Sequence, residues 1–157
     1  MNIHDYLIDQ SGHDWSEILS QWHWLLPREF TLWLVNRYGD AFLVTESGTV
    51  LMLDVGGGSI KQVADTREDF IHKIDEGNNA NDWLVIPLVD RCVSAGLTLG
   101  NGQCYSYRIP PLLGGDYTVE NTEVVNLEVH YSVYAQIHEQ IKDLPDGTKI
   151  ELKMRQD

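Results

Sequence analysis

TLWLVNRYGDAFLVTESGTVLMLDV, residues 31–55, decides the fold. From about Phe30 the apolar period is two, and the residues are β-branched or aromatic, the pattern of half-buried strands. Thr31–Val35, Ala41–Thr45 and Thr49–Val55 read as three strands of an antiparallel meander. Tyr38-Gly39-Asp40 and Glu46-Ser47-Gly48 supply the turns between them. A fourth strand over about Ser59–Val63 follows the glycine run Gly56-Gly57-Gly58.

Outward from this meander the period is helical. Asp14 caps a helix whose third position is Glu17. Trp15, Ile18, Leu19 and Trp22 fall at i, i+3, i+4 and i+7, one apolar stripe. Pro27 stops it, and a shorter helix covers about residues 3–10, ended by Ser11-Gly12. Beyond the meander a helix starts at Asp65 or Thr66 and closes at Gly77-Asn78-Asn79. Another runs from about Asp82 to Ala95, disturbed at Pro87 and ended by Gly96. A strand covers about Gln103–Ile109, and Pro110-Pro111 prevents its extension. Val129, Val133, Ile137 and Ile141, four apart, describe a C-terminal helix. Pro145-Asp146-Gly147 then turns the chain into a last strand near Lys149–Met154. No period of roughly 20–50 residues repeats. The expected fold is α+β: a single domain over residues 1–157, an antiparallel β-meander flanked by helices, with a C-terminal helix and a short final strand.

The chain has 157 residues, 43% hydrophobic and 10% aromatic, enough for a real core. There is no run of eighteen apolar residues, and MNIHDYLIDQ has neither a basic nor an apolar leader region, so the expectation is a cytoplasmic protein with no membrane partner. Cys92 and Cys104 cannot build a disulfide framework and read as reduced, half-buried thiols. The formal charge is −13. Residues 1–60 carry eight acids and two bases, 61–120 nine and five, and 121–157 seven and four, so the excess is spread along the chain. Such a field repels phosphate backbones, which argues against nucleic acid as a partner, and it steers a basic protein instead.

A search for chemistry yields little. Asp54-Val55-Gly56-Gly57-Gly58-Ser59 lacks the Lys-Ser/Thr of a phosphate loop, and Lys61 stands where a dinucleotide fingerprint needs glycine. Cys92 and Cys104 have no CxxC partner. His130 and His138, eight apart on a helix, lie roughly 12 Å from one another, too far to share an ion. Asp40, Asp54 and Asp116 read as solvated turn residues. No catalytic set, metal or cofactor is expected. The informative stretch is Arg108-Ile109-Pro110-Pro111-Leu112-Leu113-Gly114-Gly115-Asp116-Tyr117, where Pro fixes φ and Gly permits positive φ, specifying one backbone path. Asn121 follows where its side chain can hydrogen-bond the returning backbone. The stretch reads either as a buried architectural corner or as a rigid platform offering Leu112, Leu113, Asp116 and Tyr117 to a partner. Asp40 and Glu46, in the two turns of the meander, complete the candidate partner-binding set.

Several segments carry a family resemblance. They are Trp22-His23-Trp24-Leu25-Leu26-Pro27, Asn36-Arg37-Tyr38-Gly39-Asp40-Ala41-Phe42, Met52-Leu53-Asp54, Trp83-Leu84 and Gly102-Gln103-Cys104-Tyr105. Pro110–Tyr117 with Asn121, His130-Tyr131-Ser132 and Leu144-Pro145-Asp146-Gly147 continue them. From about residue 15 to 153 the chain resembles the C-terminal domain of type VI secretion immunity proteins. The resemblance implies an immunity or antitoxin role: binding and neutralising a basic toxin effector, with a DNase of a type VI secretion system as the specific candidate. The expectation is a binding protein and no enzyme, a monomer or weak homodimer. The alternative is a regulatory or scaffold module of the same fold without a toxin.

Overall fold

The computed structural model describes residues 2–145. Strands β1 (Phe30–Val35), β2 (Ala41–Thr45), β3 (Val50–Asp54) and β4 (Ser59–Ala64) form one antiparallel sheet in that order. A two-stranded ribbon pairs β5 (Gln103–Tyr107) with β6 (Thr122–Asn126). The helices are α1 (Trp15–Leu19), α2 (Arg67–Lys73), α3 (Asn79–Leu84), α4 (Ile86–Ser94) and α5 (Leu127–Ile141), with short 3-10 turns at Ile3–Tyr6, Ser20–Trp22 and Pro111–Leu113. The α+β expectation holds. The final strand expected near Lys149–Met154 lies outside the described residues.

β2 is buried along Ala41–Val44 because the sheet is covered on both faces. Side chains alternate across it. Ala41 and Leu43, with Leu53 of β3, pack against Ile18, Leu19 and Trp22 on one side and Leu127, Tyr131 and Tyr134 of α5. Phe42 and Val44, with Met52, pack against Phe70, Ile74, Trp83 and Leu84 from α2 and α3. The result is helix, sheet, helix. A third cluster, Tyr38, Leu88, Val89, Cys92, Tyr105 and Tyr107, attaches α4 and the ribbon to one end of the sheet.

Four expectations are corrected. The helix expected from Asp82 begins at Asn79 and breaks at Val85, whose φ is 52°, rather than at Pro87. Pro87 sits in the first turn of α4, where no backbone donor is needed. The strand after Gly102 stops at Tyr107, and its partner β6 was not anticipated. Cys92 and Cys104 are fully buried and unpaired, not half-buried. Asp40, expected as a solvated, partner-facing acid, is only 7% exposed.

Asp40 is instead the centre of a buried polar knot. Asn36 Nδ2 donates to Asp40 Oδ2 at 3.0 Å and to the Trp83 carbonyl at 2.9 Å, while Asn36 Oδ1 accepts from the N–H groups of Tyr38 and Asp40. The Val55 N–H donates to Asp40 Oδ1 at 3.0 Å. Tyr131 of α5 donates its hydroxyl to the Gly39 carbonyl, and the Tyr105 N–H donates to the Arg37 carbonyl at 2.8 Å. One turn thus binds β3, α3, β5 and α5 to the β1–β2 corner. Gly39 has φ +83°, and an added Cβ would meet the His130 ring at 2.9 Å, so the turn needs glycine.

Burial, and then the nearby charge of Asp54, pushes the Asp40 carboxyl up to about 8. Burial holds the His130 imidazole down at about 4. For Asp40 the folded value lies above the unfolded one, so its contribution is complete in acid and is lost as pH rises towards 8. His130 runs the other way, contributing above its ordinary value and losing it as pH falls towards 4. The Asp40→Asn variant keeps the histidines and removes only the first effect. We predict that wild type loses stability relative to Asp40→Asn by up to about 1.4 kcal/mol per pH unit between roughly pH 5 and pH 7.5. Urea denaturation of both proteins across that range is the check; a constant difference would contradict the assignment.

Candidate partner-binding site

Between β5 and β6 the chain makes one excursion, residues 108–121, and hydrogen bonds centred on Asn121 tie its two ends together. The Arg108 N–H donates to the Asn121 carbonyl at 2.7 Å. The Ile109 N–H donates to Asn121 Oδ1 at 3.0 Å, while Asn121 Nδ2 donates to the carbonyls of Ile109 (2.9 Å) and Asp116 (2.8 Å). Thr122 Oγ1 donates to the Thr118 carbonyl at 2.7 Å. Pro110 leads into the 3-10 turn Pro111–Leu113, and Gly114 ends it at φ +97°. Gly115 faces the backbone so closely that an added Cβ would overlap the Ile109 carbonyl. The sequence expectation for Asn121 is therefore met in full.

This clasp holds apolar side chains out in water. Ile109 is 55% exposed, Leu112 54% and Tyr117 65%, while Leu113 is half-buried and Asp116 exposed. Tyr117 is held edge-on against Tyr107, with ring centroids 5.5 Å apart. Tyr107 in turn stacks on Tyr38 at 5.0 Å and would meet a Cβ added at Gly56. Partial burial, then the charges of Asp54 and Asp40, raise the Tyr117 hydroxyl above its usual range. The platform therefore rests on the end of the sheet where the Asp40 knot lies.

Glu46 is at the other end. It follows β2, as Asp40 precedes it, and six residues of extended chain separate the two by roughly 20 Å. Glu46 is exposed, and its carboxyl is raised by a hydrogen bond with Glu29. The structure brings together Leu112, Leu113, Asp116 and Tyr117; it leaves Glu46 apart and Asp40 inside.

Beside the platform, and unanticipated, a cavity of about 180 Å³ opens between the β5–β6 ribbon and α5. Pro110, Val125, Val129, Val133 and Ile137 line it, with Arg108 and Glu123 at 3.6 Å from each other. The sequence signal was present in the row Val129, Val133, Ile137. That row describes the helix that α5 forms, and Val129 on it is 54% exposed. The residues of α5 that enter the core are Leu127, Tyr131, Tyr134 and Ala135.

His130 and Ser106 also border this cavity, with His130 Nδ1 2.9 Å from Ser106 Oγ. The pair sits in a packed setting. Asp40 gives its carboxylate oxygens to Asn36 and Val55, so neither orients the imidazole. His138 similarly places Nε2 3.0 Å from the Val55 carbonyl, tying α5 to the β3–β4 loop. No group of three or more His, Cys, Asp or Glu that could hold a metal occurs among the described residues. No helix among them is long and apolar enough to cross a membrane.

Fold and site define an α+β protein that presents a fixed apolar platform rather than a pocket of converging reactive groups. Residues 64–138, which include β5, the 108–121 excursion, β6 and most of α5, match the family described as T6SS immunity protein Tdi1, C-terminal. The family resemblance read from the sequence is borne out over that stretch. A solved structure, that of Atu4351 from Agrobacterium tumefaciens, superposes with a TM-score of 0.51 at 16% identity, a likeness of fold alone. The alignment covers 77% of this chain and 62% of that one, so the chain spans less than two thirds of that protein's length. No curated protein matches the chain.

The clasp can be tested apart from any partner. In Asn121→Ala three side-chain hydrogen bonds disappear, worth about 1–3 kcal/mol together at a half-buried site. In Gly115→Ala the loop cannot keep its path. Both variants are expected to be cut by trypsin at Arg108–Ile109 several-fold faster than wild type. Unchanged cleavage would show that the excursion is not held by these contacts.

Proposed function

We propose that this chain is an immunity protein that binds a toxin effector of a type VI secretion system and neutralises it by covering or locking it. The single observation that carries the reading is the family match over residues 64–138. The toxin is proposed to be basic, and a nuclease that acts on DNA is the effector class that fits best. An enzyme that grips a polyanion presents a positive surface, and a chain of formal charge −13 is drawn to that surface. The protein's own contribution is binding rather than chemistry, and a cytoplasmic location is proposed because a DNase would have to be met there. The proposed unit is the whole chain folded as one domain, a monomer or weak homodimer. Leu112, Leu113, Asp116 and Tyr117 are proposed as contacts; Glu46 is a secondary one at the opposite sheet end.

Charge complementarity between exposed surfaces acts mainly on the encounter rate and is screened over a Debye length. If a neighbouring gene encodes the toxin, the affinity of this chain for that product is expected at roughly nanomolar Kd. It should weaken about tenfold or more between roughly 0.05 M and 0.5 M salt, with most of the change in the association rate. Surface plasmon resonance over a salt series measures both quantities, and co-expression measures rescue of toxin-producing cells. No binding at low salt together with no rescue would overturn the reading.

A further inference from the structure

The geometry points to one docking site for that toxin: the cavity between α5 and the β5–β6 ribbon, continuous with the platform, takes an apolar anchor side chain flanked by Lys or Arg. This inference rests on the proposed function and assigns the surface that performs it. Continuity is direct. Pro110 belongs to the excursion and also lines the cavity, while Tyr107 lines the cavity and carries Tyr117 on its edge. Ile109, Leu112, Tyr117 and Val129 are each more than half exposed, an apolar concentration that a monomer in water gains nothing by keeping.

The partner's chemistry follows from the rim. Glu123 lines the cavity, Glu128 precedes Val129 on the first turn of α5, and Asp116 is fixed by the Asn121 clasp. Arg108 carries the one formal positive charge among the described lining residues and offsets Glu123 at 3.6 Å, so Asp116 and Glu128 supply the excess negative charge beside the cavity. An apolar centre ringed by acids suits an anchor residue set among cations, the pattern in which a few buried side chains supply most of an interface's energy. A cavity of about 180 Å³ is smaller than a typical small-molecule pocket of roughly 300–1,000 Å³, which favours a single side chain over a free ligand. The rigidity of the excursion means little ordering is needed on binding.

The test uses the full-length chain and the catalytically inactivated toxin encoded beside its gene, with three single variants. Val129→Lys and Leu112→Lys each place a cation on the site at an exposed position, and Ile71→Lys does the same at an equally exposed position on α2. Circular dichroism and thermal unfolding confirm folding first. The expected result is a loss of toxin affinity of about tenfold or more for Val129→Lys and for Leu112→Lys, with Ile71→Lys within about twofold of wild type. If wild type binds and both site variants bind equally well, the docking site is overturned while the immunity reading stands. If wild type fails to bind and fails to protect cells, both fall. If sedimentation shows a wild-type dimer that Val129→Lys abolishes while toxin binding is retained, the groove belongs to a second copy of this chain, and the proposal is overturned.

Discussion

The fold depends on a single turn, Asn36–Asp40, whose Asn36 and Asp40 side chains are withdrawn from water and whose hydrogen bonds reach four other parts of the chain. A buried carboxylate is costly, and only a full set of donors or a bound proton makes it tolerable. Here the Asn36 amide and the Val55 N–H serve the carboxyl, while Asn36 reaches on to Trp83 of α3 and Gly39 receives Tyr131 of α5. These hydrogen bonds specify which elements meet, a role apolar packing alone performs poorly because it is indifferent to direction. Packing on either side of the sheet supplies the bulk of the stability.

The platform inherits its position from that turn. Tyr38 stacks on Tyr107, its hydroxyl lies 2.9 Å from Thr122 Oγ1, and Tyr107 supports Tyr117. A chain of aromatic contacts therefore runs from the knot to the exposed excursion. Function on this account requires no moving part. In the proposed reading, a loop with one permitted path holds apolar groups out for a partner, and the acidic field around it favours a cationic one.

Much of this was legible in the sequence, and the failures have physical causes. The meander was readable because its strands alternate and its turns carry glycine; β2 was read at its true bounds, Ala41–Thr45. The Asn121 clasp was readable because Pro-Pro and Gly-Gly leave the backbone so few choices. β6 escaped because Thr-Glu-Val-Val-Asn is only five residues long and runs straight into the helix it precedes. The α3–α4 break escaped because a β-branched residue such as Val85 is a poor candidate for positive φ. Asp40 was misread because Tyr-Gly-Asp looks like any surface turn; its burial comes from α3, α5 and the Val55 loop, which no local window contains. The cavity beside α5 escaped because the i+4 row of a helix marks an apolar face without saying whether protein or a partner covers it.

In the proposed reading, binding occurs on the 108–121 excursion and the adjoining start of α5. Amide hydrogen exchange of the full chain, free and saturated with its inactivated toxin, tests this most directly. Slowed exchange concentrated in residues 108–121 and 127–133, with the β2–β3 hairpin little changed, is the result expected. Protection confined to that hairpin or to α2, with the excursion exchanging as in the free protein, would contradict it.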